Sequence, residues 1–366
     1  MSAVFLLIFV GLSEYKTQPI IYLENILKMM FLIYFMKILL TGAFGNLGTS
    51  CIIELSNKGY DIRCFDVKSK MTEIRYNIYK KKYKFEVFWG DLLDKKSISE
   101  AMNGIDAIIH TAAIIPPLSD IKPDLAKKVN IEGTKNLIEE AETQGVKQLI
   151  FSSSVSVHGP HYPSMPLIKT TDPFLPYDTY NTTKVECEGL LKNSKLKWTV
   201  IRFGAILPVE NRGQLQQKLD AYTIEMLFGI PLEQKVEIIH SHDAALSLVN
   251  AINNERAFNQ VFFGGGGSKC QLYERDFIFQ MMRPMGIKNM PDNVFKKPVS
   301  DSSVEGWYYT HWMDTAKSQE VLQYQRKTFD DYKKDQPKSP FIQRILFLFI
   351  SPLIKRTLIK KSPYKH

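Results

Sequence analysis

Cysteine is scarce in this sequence, and its spacing excludes two kinds of site. The four cysteines among the 366 residues are Cys51, Cys64, Cys187 and Cys270, and none belongs to a C-x-x-C pair. Disulfide frameworks and zinc sites need closely spaced ligands, and the seven histidines show no zinc-type spacing either. We therefore predict no metal site and reduced thiols, as in a cytoplasmic protein.

Long apolar runs are also lacking near the N-terminus. Residues 1–35 hold two short apolar stretches separated by charged residues, and neither approaches the ~20 residues that a membrane-spanning helix needs. The first stretch has no positively charged segment before it, as a secretory signal would. We predict that residues 1–35 are a leading extension from an upstream translation start, or a peripheral apolar arm.

Negative charge is absent from the C-terminal end. The formal net charge is +9, and residues 336–366 contain seven basic residues and no acidic one, which leaves +2 on the rest. A nucleic-acid-binding body would spread its positive charge over a folded face, so we predict no nucleic acid partner. The tail pairs its basic residues with an apolar run, Phe341–Ile354. A surface helix with a solvated basic end and a peripheral membrane anchor both remain open.

Between residues 37 and 208, short apolar strands alternate with amphipathic stretches. This alternation predicts an α/β fold with a parallel sheet and helices on both faces. The predicted strands are Lys37–Thr41, Asp61–Asp66, Phe85–Trp89, Ala107–His110, Gln148–Ser152 and Thr199–Arg202, with helices over Leu47–Lys58 and Leu125–Thr143 among the connections.

Beyond residue 208 the alternation loosens, with a strand expected over Val236–Ile239 and a helix over Ala244–Ile252. Gly264–Gly267 has neither a Lys-Ser/Thr ending nor a helix pattern behind it, so we predict a flexible turn rather than a phosphate loop. The predicted zones are an extension (1–35), a dinucleotide-binding domain (36–208), a substrate lobe (209–335) and a basic apolar tail (336–366).

The segment Thr41–Gly48 follows the first strand and opens a helix. Gly42 permits a tight turn, Gly45 lets the backbone approach a pyrophosphate, and Gly48 lets helix and strand pack closely. The free N–H groups at the helix N-terminus favour an anion there. The second strand ends in Asp66, 24 positions after Gly42, where an acid grips the ribose hydroxyls and repels a 2′-phosphate. We predict NAD, with NADP less favoured despite two nearby lysines.

Tyr180 and Lys184 are four residues apart, so on a helix they share one face. A tyrosine can move a proton at a substrate oxygen if its pKa, ~10 unperturbed, falls toward neutrality, and a nearby ammonium favours its phenolate. Ser154, at the end of a strand, can hydrogen-bond the same oxygen, although Ser152 and Ser153 compete for this role. Taken alone, the Tyr-x-x-x-Lys spacing fits an ordinary packed tyrosine equally well.

The order of these motifs resembles the extended short-chain dehydrogenase/reductase family, also called the NAD-dependent epimerase/dehydratase family. The resemblance covers residues 37–330 and rests on Thr41–Gly48, Gly90-Asp91-Leu92, His110-Thr-Ala-Ala113, Asn130-Ile-Glu-Gly-Thr134, Phe151-Ser-Ser-Ser154 and Tyr180-Asn-Thr-Thr-Lys184. It implies a Rossmann-type doubly wound parallel sheet with a smaller C-terminal substrate lobe, and a homodimer.

The resemblance also implies roles for individual residues. Asp91 would hold the adenine, Thr111, Ala112 and Ala113 would line the nicotinamide side, and Asn130 would brace the site. The predicted catalytic residues are Ser154, Tyr180 and Lys184. The predicted cofactor-binding residues are Gly42, Phe44, Gly45, Asn46, Leu47, Gly48, Asp66, Asp91, Leu92, Thr111, Ala112, Ala113, Asn130, Tyr180 and Lys184. His158 is expected to line the substrate mouth, with a role as a second acid as the alternative.

One departure from the family pattern bears on the substrate. Sugar-nucleotide members place Arg-Asp before the later Asp-containing helix, and this sequence has Val236-Glu237 there. Without the arginine a diphosphate loses a bidentate partner, so sugar nucleotides are disfavoured. We predict an NAD-dependent oxidoreductase that transfers a hydride between nicotinamide and an alcohol or carbonyl substrate, with the tyrosine as acid or base. The alternatives are a nucleotide-sugar 4-epimerase or dehydratase, and a non-catalytic NAD-sensing protein.

Overall fold

The computed structural model describes residues 36–209, 221–336 and 341–365. Within them, a seven-stranded sheet has the order β3-β2-β1-β4-β5-β6-β9, and every neighbouring pair is parallel. The strands are β1 Lys37–Thr41, β2 Asp61–Asp66, β3 Glu86–Trp89, β4 Ala107–His110, β5 Gln148–Ser154, β6 Lys197–Phe203, β7 Ala205–Leu207, β8 Lys235–His240, β9 Gln260–Gly264 and β10 Gln271–Tyr273. The predicted parallel α/β sheet is confirmed.

Helices cover both faces of this sheet and build the C-terminal lobe. They are α1 Asn46–Asn57, α2 Lys70–Tyr79, α3 Lys95–Met102, α4 Leu118–Ile121, α5 Pro123–Lys127, α6 Gly133–Thr143, α7 Thr179–Lys192, α8 Ala221–Phe228, α9 Ser241–Asn250, α10 Glu274–Met282, α11 Ala316–Leu322, α12 Phe329–Asp335 and α13 Phe341–Lys361. The helix predicted over Leu125–Thr143 is continuous but contains a π-helical turn at Lys128–Glu132. No described helix is long and apolar enough to cross a membrane.

The alternation of side chains along β1 explains the two cores of the sheet domain. Ile38 and Leu40 point to one face, where α1 and α9 pack, while Leu39 points to the other, where α3, α6 and α7 pack. Because both faces are covered, the central strand β4 is buried at every position and is apolar up to its final His110. The strand order reverses between β1 and β4, which opens a crevice at their carboxyl ends.

The C-terminal lobe has its own small sheet, β10-β8-β7, and its own apolar cluster. In that cluster Leu358 and Ile354 of α13 pack against Phe228 of α8 and Phe295. The basic tail therefore forms a helix that is seated on the lobe over its C-terminal half. The predicted extension, residues 1–35, lies outside the described residues, and the division into zones stays a prediction.

The glycines at the end of β9 and directly after it do not form the flexible turn that the sequence predicts. Gly265, Gly266 and Gly267 are buried, and the N–H groups of Gly265 and Gly267 donate to Tyr324 Oη and Glu237 Oε1 at 3.2 and 3.0 Å. A Cβ at Gly265 would lie 2.1 Å from Glu237 Oε1. The prediction of a flexible turn was wrong, because these glycines allow a close backbone approach around a buried carboxyl group rather than freedom in solvent.

Candidate active site

The glycine-rich loop after β1 folds as a tight turn into α1. Gly42 has φ +65° and donates its N–H to Phe65 O at 2.9 Å. A Cβ on Gly48 would lie 2.1 Å from Gly42 O, and one on Gly45 would lie 3.0 Å from the same oxygen. Only glycine therefore lets the loop close this tightly beneath the N-terminus of α1, where anions are favoured.

Asp66, at the end of β2, holds the glycine-rich loop in place through the backbone of Phe44. Its carboxylate accepts from Phe44 N at 2.9 Å and from Val67 N at 2.8 Å. Burial raises the pKa of Asp66, while these hydrogen bonds and the positive charge of Arg75 act in the opposite direction. The Arg75 guanidinium in turn donates to Phe44 O at 2.6 Å, so β2, the loop and α2 are held together.

A cleft of about 260 Å³ opens at these strand ends. Predicted residues that line it are Gly42, Phe44, Gly45, Asp66, Asp91, Leu92, Thr111, Ala112 and Ala113. Asn46, Leu47 and Gly48 instead form the first turn of α1 behind the loop. Lining residues that the sequence reasoning missed are Phe65, Val67, Thr72, Arg75, Gly90, Ile114 and Val129. Val67 and Gly90 adjoin predicted positions, whereas Thr72 and Arg75 reach the cleft through the orientation of α2.

Asn130 braces the site beneath the cleft. Its side chain accepts from Ile114 N at 2.7 Å, donates to Ile114 O at 3.0 Å and donates to Thr183 Oγ1 at 3.0 Å. Asn130 is 3% exposed, and it joins the loop after β4 to helix α7. The structure thus gives Asn130 a bracing position, because its partner Thr183 directly precedes Lys184 on α7.

Helix α7 begins where Asp178 accepts from Asn181 N at 2.7 Å, and it carries Tyr180 and Lys184 one turn apart. Lys184 Nζ donates to Ser152 O at 2.6 Å and lies 5.7 Å from the ring centre of Tyr180. Burial lowers the pKa of Lys184 to about 8. Burial raises the pKa of Tyr180 above its usual range, although a hydrogen bond with Ser154 acts to lower it.

The three serines of β5 have separate partners. The carbonyl of Ser152 accepts a hydrogen bond from Lys184. Ser153 Oγ donates to Glu188 Oε1 at 2.7 Å on the buried side of the strand. Of the three serines, Ser154 is the one that acts to lower the pKa of Tyr180. Ser152 and Ser153 thus have other partners, and Ser154 is the serine that influences the phenol of Tyr180.

Ser154 is itself held by a hydrogen-bonded chain that sequence reasoning missed. Ser154 Oγ and Ser156 Oγ are 2.7 Å apart, and Ser156 Oγ donates to Asn181 Oδ1. Ser156 is anchored by Asn181 and holds the Ser154 oxygen in place, and the single proton of Ser154 can turn toward the phenolate of Tyr180. Asn181 directly follows Tyr180, and Ser156 lies two residues after Ser154; this closeness in sequence is the only signal for them.

His158 does not line a substrate mouth, so that expectation was wrong. Its ring is 1% exposed, with Nε2 2.9 Å from Arg202 Nη1 and Nδ1 3.1 Å from Pro173 O. Burial and the Arg202 charge lower the pKa of His158 to about 4. It belongs to a buried network in which Arg202 Nε and Nη2 donate to the two Glu188 oxygens at 2.9 and 2.8 Å.

A larger cavity of about 700 Å³ lies between the loops after β5 and the C-terminal lobe. Its wall includes Tyr177, three residues before Tyr180 in the chain, and Tyr309, whose charge acts to raise the pKa of Tyr180. Its lining is mainly aromatic and aliphatic. Among the described lining residues, three are acidic (Asp120, Glu225 and Glu305) and one is basic (Lys296).

A parallel sheet of this order, with a glycine loop after β1 and Ser, Tyr and Lys gathered after β5, defines a dinucleotide-binding fold of the short-chain dehydrogenase type. Residues 39–200 match the 3-beta hydroxysteroid dehydrogenase/isomerase family model. In this match, in its curated relatives and in its fold, the chain is similar to proteins of the extended short-chain dehydrogenase/reductase superfamily. The resemblance in its sequence motifs is thus confirmed.

Two curated relatives and one solved structure show the range of similar proteins. The chain is 26% identical over 236 residues to photosystem II assembly factor Ycf39 of Trieres chinensis, covering 63% of this chain and 64% of that one. It is 31% identical over 190 residues to UDP-glucose 4-epimerase of Erwinia amylovora, covering 49% and 56%. It therefore spans less than two thirds of either relative. A short-chain dehydrogenase/reductase superfamily protein from Agrobacterium tumefaciens with bound NAD has a similar fold, with TM-score 0.65, 18% identity, and coverage of 88% of this chain and 99% of that chain.

Proposed function

We propose that this chain is an NAD-dependent oxidoreductase that transfers a hydride between nicotinamide and an alcohol or carbonyl carbon. The observation that supports this proposal best is the arrangement of Ser154, Tyr180 and Lys184 at the carboxyl edge of the sheet. A phenol, a hydroxyl that bonds to it and an ammonium one helical turn away are the groups that proton transfer at a substrate oxygen requires.

The residues present fit NAD as the cofactor. The glycine loop leaves its backbone open at the N-terminus of α1, where a pyrophosphate is favoured. Asp66 lines the cleft at the end of β2, where its carboxylate would repel the 2′-phosphate of NADP. Bound NAD would supply the hydride acceptor at its nicotinamide ring and a positive charge near Tyr180.

In the direction of alcohol oxidation, Tyr180 would take the hydroxyl proton of the substrate. Burial keeps this phenol protonated at neutral pH in the structure described, so a cation is needed to favour its phenolate. Lys184, whose pKa is about 8, supplies that cation from the same helix face. Ser154 would hydrogen-bond the substrate oxygen and hold it at the phenol.

The wall of the larger cavity favours an uncharged, largely apolar substrate. The diphosphate of a sugar nucleotide would meet Asp120, Glu225 and Glu305, with Lys296 as the one cation among the described lining residues. Val236, which stands where sugar-nucleotide members of the superfamily have an arginine, is buried in an apolar cluster. The aromatic surface suits a ring system without charge.

A screen of the full chain with NAD tests this proposal. We expect NADH release with sterol-like or other apolar alcohols, and none with UDP- or dTDP-sugars. An epimerised or dehydrated sugar without NADH release would instead support the second candidate, a nucleotide-sugar epimerase or dehydratase, which the likeness to UDP-glucose 4-epimerase favours. Binding of NAD without turnover of any compound would support the third, a non-catalytic NAD-sensing protein.

Ser156→Ala tests whether the hydrogen bonds that link Ser154, Ser156 and Asn181 position the hydroxyl of Ser154 for catalysis. Removing Ser156 Oγ takes away the group that holds the Ser154 hydroxyl in place, so the Ser154 proton would reach Tyr180 less well. We expect kcat to fall by about tenfold and the apparent pKa in the rate profile to rise, because the hydrogen bond with Ser154 lowers the pKa of Tyr180. Ser156→Thr keeps the hydroxyl and should restore both. An unchanged pH profile in Ser156→Ala would exclude the positioning role.

A further inference from the structure

The exposed face of α13 combines apolar and basic side chains in one stripe. Phe349 and Leu353 are 79% and 68% exposed, and Arg356 and Lys360 are also exposed. These four residues follow the spacing i, i+4, i+7 and i+11, which keeps them on one side of a helix. The stripe thus begins with two large apolar groups and ends with two cations.

The opposite side of α13 is fixed to the protein. Leu358 is 3% exposed and packs with Ile354 in the apolar cluster of the C-terminal lobe, and Ser362 Oγ donates to Val294 O. The helix is therefore seated by one face, and the stripe of Phe349, Leu353, Arg356 and Lys360 points away from that face. The sequence beyond Pro352 does not look cleanly two-faced, and it is the packing of Leu358 that shows which side is buried.

The charge of this region argues for an anionic surface as its occupant. From residue 336 onward the chain has seven basic residues and no acidic one, so the stripe stands in a positive environment. Exposed apolar side chains beside cations are the combination that binds the interface of an anionic bilayer, where apolar groups enter the acyl boundary and cations meet headgroups. A water-facing surface helix needs no exposed Phe and Leu one turn apart.

We propose that the stripe formed by Phe349, Leu353, Arg356 and Lys360 docks on the surface of an anionic lipid bilayer. The contact is peripheral, since α13 lies on the lobe and does not cross a membrane. The same segment reaches the large cavity, because Tyr364 lines that cavity and its hydroxyl donates to Glu225. If the proposed function holds, the bilayer would also be the reservoir of an apolar substrate.

Vesicle sedimentation of the full chain tests the docking without any assay of turnover. We expect binding to phosphatidylcholine vesicles that contain phosphatidylglycerol, and much weaker binding to phosphatidylcholine alone. Leu353→Ser/Arg356→Glu should weaken binding to the anionic vesicles by at least about tenfold, and added salt should do the same. A matched control, Leu167→Ser/Lys169→Glu, changes one exposed leucine and one exposed lysine elsewhere and should bind like the parent chain.

Three results would overturn the proposal. If the parent and the α13 variant bound equally to both kinds of vesicle, the stripe would not be a membrane-binding surface. No binding of the parent to anionic vesicles would do the same. A parent chain that is dimeric by light scattering and becomes monomeric in the α13 variant, without vesicle binding, would assign the stripe to a second copy of the chain. Failure of the proposed oxidoreductase activity would leave each of these readouts intact.

Discussion

Replacing Tyr180 by phenylalanine is expected to leave NAD binding intact and to lower kcat by about 10²- to 10⁴-fold, the usual contribution of a positioned acid–base group. The substitution removes the hydroxyl on which Ser154 acts and the proton-accepting group of the proposed reaction. The ring itself stays, so the packing around Lys184 is preserved. Turnover is measured by NADH formation, and NAD binding by calorimetry.

Tyr273→Phe is the matched control, because Tyr273 is 40% exposed and lies on β10, away from both the cleft and the cavity. Its kinetics should equal those of the parent. If Tyr180→Phe turned over substrate at the parental rate, another group would have to move the proton. If it lost NAD binding, Tyr180 would be a cofactor contact first.

The protonation state of Tyr180 also determines how the rates of oxidation and reduction change with pH. Oxidation needs the phenolate to accept a proton, so its rate should rise with pH through the apparent pKa of Tyr180. Reduction needs the phenol and should slow over the same range. Lys184 limits the rise in the oxidation rate at high pH. Its ammonium, which favours the phenolate, loses its proton above a pKa of about 8.

Breaking the buried ion pair of Arg202 and Glu188 is expected to destabilise the fold more than any exposed pair. Both side chains are almost fully buried, and Arg202→Met leaves the carboxylate with Ser153 and the partly exposed Lys192 as partners. We expect the free energy of unfolding to fall by about 3–5 kcal/mol, as for other buried pairs that lose one partner. Chemical denaturation with two probes measures it.

The pH dependence of this loss gives a second check. Arg202 lowers the pKa of Glu188 in the folded protein, so the pair stabilises the fold above the unfolded pKa of the carboxyl and loses that effect as pH falls through the folded pKa. In Arg202→Met, burial would instead raise the pKa of Glu188, which could then be protonated near neutral pH. The deficit relative to the parent should therefore shrink between pH 7 and pH 4.

Arg275→Met is the control for this experiment. Arg275 donates to both oxygens of Asp292 at 2.9 and 2.8 Å, but the side chains are 38% and 60% exposed. Such a pair contributes about 0–1 kcal/mol, so its loss should be small. Equal losses in the two variants would mean that burial does not decide the strength of the Arg202 pair.

Local patterns were enough to predict six of the seven strands of the large sheet, whereas β9 was missed. Strands β1, β2 and β4 have the bounds expected from their apolar runs, and β5 extends to Ser154, two residues beyond the expected end. The glycine loop was readable because its turn and its contacts are local. These features depend on neighbours within a few residues, which is the range over which a sequence pattern carries information.

The parts that could not be predicted depend on distant contacts. Whether His158 faces substrate or Arg202 is decided by a side chain 44 positions away. The large cavity is lined by residues from Asp120 to Tyr364, and Tyr364 stands in its wall only because α13 packs back on the lobe. Such arrangements come from tertiary packing, for which the spacing of residues gives no signal.

Asn130 has a consequence for how proteins of this kind diverge. One amide side chain fastens the loop after β4 to Thr183 of α7, so the wall of the cleft and the helix that carries Tyr180 and Lys184 are tied to each other. Substitutions that shift one of them shift the other, which makes this half of the molecule resistant to gradual change. New substrate preferences would then arise by remodelling the C-terminal lobe, where the cavity wall can vary without disturbing the reaction geometry.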